Sequence, residues 1–148
     1  MVMKVAIIGA GNVGAQTALS ILERDLADVV LLDIQEDLAK AKALDLLDRG
    51  AIMGYKRKVI GTKDYQKIKD SEIVVITAGF TRKPGMTRED LLEKNGKIVK
   101  EVVENIKKYA ENSIIIVVTN PLDILTYLVI KWSNFSPSRV CLLYTSPS

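Results

Sequence analysis

The 148-residue sequence contains no histidine and only one cysteine. Without histidine, the chain has no side chain of the usual kind for exchanging a proton at neutral pH. Cys141 alone cannot form an internal disulfide, which favours a cytoplasmic location. We predict no metal site.

Long uninterrupted apolar runs are also absent. Residues 5–22 carry no charge, but glycine, asparagine and glutamine interrupt them, so they predict neither a signal peptide nor a membrane span. The net charge of +3 comes from scattered lysines, many of them in KNGKIVKEVVENIKKY, where glutamates are interleaved. This pattern indicates a solvated helix face. We therefore expect neither a membrane nor a nucleic acid as a partner.

Short apolar runs alternate with longer amphipathic segments along the chain. The predicted strands are Lys4–Gly9, Val29–Asp33, Val59–Thr62, Glu72–Thr77 and Ser113–Val118. The predicted helices are Val13–Arg24, Asp37–Arg49, Thr87–Ala110 and Leu122–Trp132. Strands that are apolar throughout, separated mostly by helices, predict an α/β fold with a doubly wound parallel sheet covered on both faces.

Two helix ends carry local signals. Thr87, with Asp90 three residues later, predicts a capping box at the start of the long helix. Gly50 is predicted to cap the end of the second helix. The apolar spacing of that helix predicts a buried face made of Leu38, Ala41, Leu44 and Leu47.

A glycine-rich segment follows the first predicted strand and opens the first predicted helix. Its residues fit the pattern G-x-G-x-x-G and are Gly9, Ala10, Gly11, Asn12, Val13 and Gly14. Gly9 suits a tight turn, Gly11 lets a pyrophosphate reach the backbone, and Gly14 allows close helix–strand packing. Asp33 ends the next strand, where its carboxylate can accept hydrogen bonds from ribose hydroxyls and repel a 2′-phosphate. The segment therefore predicts a Rossmann-type site for NAD, and a glycine-rich turn without a ligand is the alternative.

A polar loop follows the fourth predicted strand, at the sheet edge where open α/β folds bind ligands. It carries Arg82 and Arg88, and guanidinium groups grip carboxylates in a two-pronged fashion. Gly79 and Gly85 allow the loop to close. The loop predicts a site for a small anionic substrate, and an exposed basic loop without a ligand is the alternative.

Four separated motifs occur in the order GAGNVG, VVLLD, ITAGFTRKPGMTREDLLEKN and VVTNPLDILTY. Together they resemble the N-terminal, NAD-binding half of the lactate/malate dehydrogenase family over residues 1–140. The resemblance implies that Arg82 binds the second carboxylate of oxaloacetate, where lactate enzymes typically have glutamine. It implies that Arg88 closes over the substrate and polarises its carbonyl, and that Asn120 bonds the substrate oxygen. It further implies that Asn95, Val118, Thr119 and Asn120 line the cofactor site.

The resemblance therefore implies NAD-dependent malate dehydrogenase activity on a small dicarboxylate, in a homodimer or homotetramer. A lactate or other 2-hydroxyacid dehydrogenase is one alternative, which Arg82 disfavours. A non-catalytic NAD-sensing domain is another, which the absence of histidine suits and the two loop arginines do not.

The family's catalytic histidine, its aspartate partner and a third arginine lie in a C-terminal catalytic domain that this sequence does not contain. We therefore expect the chain alone to be inactive. Residues 141–148, CLLYTSPS, back-translate to a sequence that resembles a transposase adapter, so we interpret them as a non-native tail. The dinucleotide-binding domain, residues 1–140, is then expected to stop before or within the sixth strand. The loss of that strand would uncover the apolar fifth strand and make the product poorly soluble.

Overall fold

The computed structural model describes residues 2–143, which form six parallel strands with helices on both faces of the sheet. The strands are β1 (Lys4–Ile8), β2 (Asp28–Leu32), β3 (Val59–Thr62), β4 (Ile73–Ile76), β5 (Ile114–Val117) and β6 (Val140–Leu142). The helices are α1 (Asn12–Glu23), α2 (Glu36–Met53), α3 (Arg88–Tyr109) and α4 (Leu122–Ser133). The sheet order β3-β2-β1-β4-β5-β6 confirms the predicted doubly wound α/β fold, and the order reverses direction beside β1.

The strands are apolar on both sides because helices cover both faces of the sheet. In β1, Ala6 and Ile8 belong to the core beneath α3 and α4, whereas Val5 and Ile7 belong to the core beneath α1 and α2. Full burial of one such isoleucine contributes about 1.5–3 kcal/mol.

Among the described residues, no helix combines the length and hydrophobicity needed to cross a bilayer.

The buried face and the end of α2 differ from the prediction. The helix buries Ala39, Ala43, Leu46 and Gly50. Of the four predicted residues, Leu38 is half-buried against the same core, whereas Ala41, Leu44 and Leu47 are exposed. Small residues face the sheet because α2 lies very close to β3. A Cβ atom added to Gly61 of β3 would lie 2.1 Å from the Ala39 carbonyl oxygen.

Gly50 does not cap α2, which continues to Met53 and ends at Gly54 with a left-handed φ of 87°. Gly50 instead leaves room for the Tyr55 ring, which would lie 2.8 Å from an added Cβ atom. Apolar spacing alone selected the wrong face because it cannot measure how closely a helix must approach its strand.

The sixth strand forms, so the prediction that β5 would be an uncovered edge is wrong. Val140, Cys141 and Leu142 pair in parallel with Ile115, Ile116 and Val117 of β5. Cys141 and Leu142 extend the ladder through backbone hydrogen bonds that do not depend on the identity of the side chain. Leu143 is also described, whereas residues 144–148 of the predicted tail lie outside the described residues.

The capping box of α3 is formed as predicted. The Thr87 hydroxyl accepts a hydrogen bond from the Asp90 amide at 3.1 Å, and the Asp90 carboxylate accepts one from the Thr87 amide at 3.0 Å. These bonds hold the pKa of the Asp90 carboxyl below its ordinary value. They orient the beginning of the helix that carries Arg88.

The stability of the chain is expected to depend on the ionisation of Asp90. Because the folded state lowers this pKa, the stabilisation is present above the ordinary carboxyl value of 3.8 and is lost as the pH falls through the folded-state pKa. The Asp90→Asn variant should lack this part of the acid dependence. The test is to measure the unfolding free energies of the wild type and of Asp90→Asn from pH 2 to pH 6. Parallel pH profiles for both proteins would contradict it.

Candidate active site

The glycine-rich turn is held against the sheet by contacts that only glycine permits. Gly9 has a φ of +112°, and an added Cβ atom would lie 2.5 Å from Thr77 Oγ1. A Cβ atom on Gly14 would lie 1.8 Å from the carbonyl oxygen of Gly9. The first and third glycines therefore let the chain turn sharply and let α1 approach the end of β1.

Gly11 differs from the other two glycines of the turn, because nothing lies within 4 Å of a Cβ atom added to it. It is the N-cap of α1, where no side chain caps the helix. The first amides of α1 therefore have no capping side chain, and the positive end of the helix dipole lies behind them. An open approach to uncapped amides fits the pyrophosphate of a dinucleotide.

Asp33 stands beside this turn at the end of β2. One carboxylate oxygen accepts a hydrogen bond from the Ala10 amide at 2.8 Å, and the other accepts one from the Gln35 amide at 2.9 Å. A carboxylate offers about four acceptor positions, so both oxygens retain capacity for ribose hydroxyls. Asp33 thus organises the turn through these two hydrogen bonds and keeps further acceptor capacity.

Thr77, immediately after β4, supports the turn from the neighbouring strand, and sequence reasoning did not identify it. Its hydroxyl lies 3.0 Å from the carbonyl oxygen of Ile8 and 3.2 Å from that of Gly9. The strand order of the sheet explains its position. Because β4 lies beside β1, the residue after β4 must lie next to the residue that begins the glycine turn.

One cleft of about 850 Å³ opens at the carboxyl ends of β1, β4 and β5. Its lining brings together residues that the sequence predicted from three separate segments: Val13, Arg82, Arg88, Val118, Thr119 and Asn120. Phe80, Leu91 and Leu143 add apolar surface that was not predicted. The cleft lies where doubly wound folds bind ligands, and its volume suits a small-molecule site.

The two predicted arginines enter the cleft from a single exposed segment. Arg82 lies on the loop after β4, where its Nε donates to the Met86 carbonyl oxygen at 3.1 Å. Arg88 is the first residue of α3. A second cavity of about 800 Å³ separates the same loop from the first turns of α3. The loop therefore has space on both sides and two left-handed glycines, Gly79 and Gly85.

Asn95 lies within α3 and is completely buried, so it offers no surface for lining the cofactor site. Its side chain is bonded to backbone atoms of Phe80 and Asn120. Thr119 is also buried, and its hydroxyl donates to the Ala78 carbonyl oxygen at 2.7 Å. Asn120 is exposed at the cleft. Of these three predicted cofactor residues, Asn120 is exposed at the cleft, whereas Asn95 and Thr119 are buried.

The chain resembles known dehydrogenases in both sequence and structure. It is 55% identical over 137 residues to the malate dehydrogenase of Methanosarcina barkeri. It superimposes on the malate dehydrogenase of Cryptosporidium parvum with a TM-score of 0.92 and 44% identity, over 96% of this chain. The lactate dehydrogenase of the same organism, solved with lactic acid and NAD, matches with a TM-score of 0.91 and 39% identity, over 96% of this chain.

The similarity covers 93% of this chain and 45% of the M. barkeri enzyme. Each of the two structures is likewise covered over 45% of its own length. The chain thus spans less than half of the relatives it matches. The family model for the NAD-binding domain of lactate/malate dehydrogenases matches residues 3–141. These residues carry the glycine turn, Asp33 and the open helix N-terminus, and the chain belongs to the lactate/malate dehydrogenase family as an NAD-binding domain.

Proposed function

We propose that this chain is the amino-terminal half of an NAD-dependent malate dehydrogenase, which interconverts malate and oxaloacetate. The observation that carries the proposal is the cleft that gathers Arg82, Arg88 and Asn120 beside the open end of α1. Two guanidinium groups at one cleft suit a small anionic substrate. Further support comes from the malate dehydrogenases of M. barkeri and C. parvum, which match at 55% and 44% identity.

The cofactor residues act by position. The open space at Gly11 would let the pyrophosphate approach, and the first amides of α1 would bind it. Asp33 would accept hydrogen bonds from the ribose hydroxyls. NAD, when bound, supplies the carbon centre that accepts or donates the hydride. The same Asp33 carboxylate would repel the 2′-phosphate of NADP.

The substrate residues recognise and polarise the dicarboxylate. Arg82 would pair with the carboxylate remote from the reacting carbon, an interaction worth roughly 1.5–3 kcal/mol. Arg88 would place positive charge beside the carbonyl oxygen as negative charge develops on it. Asn120 would hydrogen-bond the same oxygen and hold the carbonyl in the orientation that hydride transfer requires.

The proposed reaction also transfers a proton, and these 148 residues contain no histidine, the usual proton donor at neutral pH. We expect the 148 residues to bind NAD without turning over malate. The relatives, more than twice as long as the matched region, have room for a second catalytic half.

The test is a comparison of substrates with the full-length protein that carries this sequence. With NADH present, oxaloacetate should be reduced with a kcat/KM at least about 1,000-fold above that for pyruvate, because pyruvate leaves Arg82 unpaired. Equal or faster reduction of pyruvate would identify a lactate or other 2-hydroxyacid dehydrogenase. NAD binding without turnover of any 2-oxoacid would identify a cofactor-sensing domain.

We also propose that residues 141–148 are not native, because their back-translation resembles a sequencing adapter. Sequencing the source DNA across codon 141 tests this. Family sequence continuing beyond Val140 would support the proposal, and a genomic stop codon directly after Ser148 would overturn it.

A further inference from the structure

We infer that Asn95 is a positioning residue that holds the substrate loop against the loop carrying Asn120. The inference rests on the proposed function, because it assigns these two loops to one active site. It gives Asn95 a task different from the direct contact with the cofactor that the sequence resemblance implies. The supporting observations are the burial of its side chain, its three hydrogen bonds and the glycine packed against it.

The amide group of Asn95 bonds to both loops at once. Its Oδ1 accepts a hydrogen bond from the Phe80 amide at 2.7 Å. Its Nδ2 donates to the Phe80 carbonyl oxygen at 3.1 Å and to the Asn120 carbonyl oxygen at 2.6 Å. Phe80 lies two residues before Arg82, and Asn120 lines the cleft itself. One side chain therefore joins the two segments that contact the substrate in the proposed mechanism.

Only an amide satisfies these three partners. An N–H group requires an acceptor, and two carbonyl oxygens require donors, so the orientation of the Asn95 amide follows from its surroundings. A carboxylate of the same shape would face two carbonyl oxygens without a proton to share. An alkyl side chain would leave all three backbone groups without this partner in the interior, where such losses are costly.

The surrounding residues are shaped for this contact. Gly79 has a φ of +151°, and an added Cβ atom would lie 2.9 Å from Asn95 Oδ1 and 2.7 Å from Thr119 Cγ2. Thr119 makes a second link between the loops, because its hydroxyl donates to the Ala78 carbonyl oxygen at 2.7 Å. The base of the substrate loop is thus tied to the β5 loop, while its tip from Thr81 to Gly85 is exposed.

This arrangement separates two effects that a substitution can have. A residue that contacts NAD affects cofactor affinity first, whereas a residue that positions Arg82 relative to Asn120 affects the dicarboxylate and the chemical step. Asn95 has no exposed surface, so its loss should act through the loops. The expected signature is a fall in kcat/KM for the dicarboxylate with nearly unchanged binding of NAD.

The experiment compares Asn95→Asp with Asn105→Asp in the full-length protein. Asn105 lies on the same helix, and its Nδ2 donates to the Glu101 carbonyl oxygen of that helix at 2.9 Å. In Asn95→Asp, kcat/KM for oxaloacetate should fall about 10- to 100-fold, as expected for the loss of buried hydrogen bonds. The dissociation constant of NAD should change by about twofold or less in both variants. Asn105→Asp should leave kcat/KM within the same twofold range.

A second measurement does not depend on activity. Hydrogen exchange at the Phe80 amide should be about 10- to 100-fold faster in Asn95→Asp. The carboxylate cannot donate to the carbonyl oxygens of Phe80 and Asn120, so the loop that carries this amide is held less firmly. Asn95→Ala, which removes both donor and acceptor, should accelerate this exchange at least as much. Thermal unfolding of each variant confirms that the comparison is made between folded proteins.

The outcomes are distinct. A fall in NAD affinity as large as the fall in kcat/KM would overturn the inference and identify Asn95 as a cofactor contact. Unchanged kcat/KM and unchanged exchange would also overturn it, as would failure of both Asn95 variants to fold. If the wild-type protein reduces no dicarboxylate while Phe80 exchange still accelerates in Asn95→Asp, the proposed function fails but the link between the loops is supported.

Discussion

Replacing Gly14 by alanine should destabilise the domain by roughly 3 kcal/mol and remove measurable NAD binding. The added methyl carbon would lie 1.8 Å from the Gly9 carbonyl oxygen, well inside any permitted contact. The clash is with backbone, so rotation of a side chain cannot relieve it. Helix α1 would have to move away from β1, taking its N-terminal amides from the pyrophosphate position.

Gly11→Ala provides the matched control because it adds the same methyl group three residues earlier in the same turn. Its backbone φ of −70° suits alanine, and no heavy atom lies within 4 Å of the added carbon. The unfolding free energy should therefore change by less than about 0.5 kcal/mol. NAD affinity should still fall, by about tenfold or more, because the methyl group occupies the approach of the pyrophosphate.

Chemical denaturation and calorimetric titration with NAD separate the two effects. Gly14→Ala should lose stability and binding together, whereas Gly11→Ala should lose binding alone. Equal stability of Gly14→Ala and the wild type would show that α1 does not need its close approach to the glycine turn. Full NAD affinity in Gly11→Ala would place the pyrophosphate away from this turn.

Replacing Arg82 by glutamine should change which 2-oxoacid the full-length protein prefers. Loss of the guanidinium pair should lower kcat/KM for oxaloacetate by about 100-fold, corresponding to roughly 3 kcal/mol. Activity on pyruvate should rise, because its methyl group no longer faces a guanidinium group that it cannot pair with. The ratio of the two kcat/KM values should therefore shift by about 1,000-fold or more.

Lys83→Gln is the matched control for this prediction. It removes one positive charge from the adjacent residue, which lines the cavity on the other side of the loop and not the cleft. Its effect on either substrate should stay within about twofold. Arg82→Lys should retain attraction for oxaloacetate while losing the two-pronged geometry, and should fall between wild type and Arg82→Gln.

A general charge effect would predict a different pattern. Steady-state kinetics with both substrates, at fixed NADH and two salt concentrations, distinguishes the cases. Similar losses in Arg82→Gln and Lys83→Gln, both relieved by salt, would mean that the loop only attracts anions. An unchanged oxaloacetate to pyruvate ratio in Arg82→Gln would remove this residue from substrate selection.

Local patterns along the sequence determined much of this protein. The β-α alternation, the glycine turn with Asp33 and the Thr87–Asp90 capping box each depend on residues that are close in the chain or follow a known spacing. Arg82 and Arg88 were identifiable from their loop and Asn120 from the family resemblance, and the cleft brings the three together. A parallel sheet makes this possible because it gathers the carboxyl ends of its strands at one edge.

Only the tertiary structure decided how closely the elements approach one another. It placed small residues of α2 against β3 and left Leu44 and Leu47 exposed, contrary to the apolar spacing. It also buried Asn95 between two loops that lie far apart in the sequence. Periodicity describes one helix or strand at a time, whereas these contacts depend on distances between backbones. These distances are set only when the helices and strands pack against one another in the folded protein.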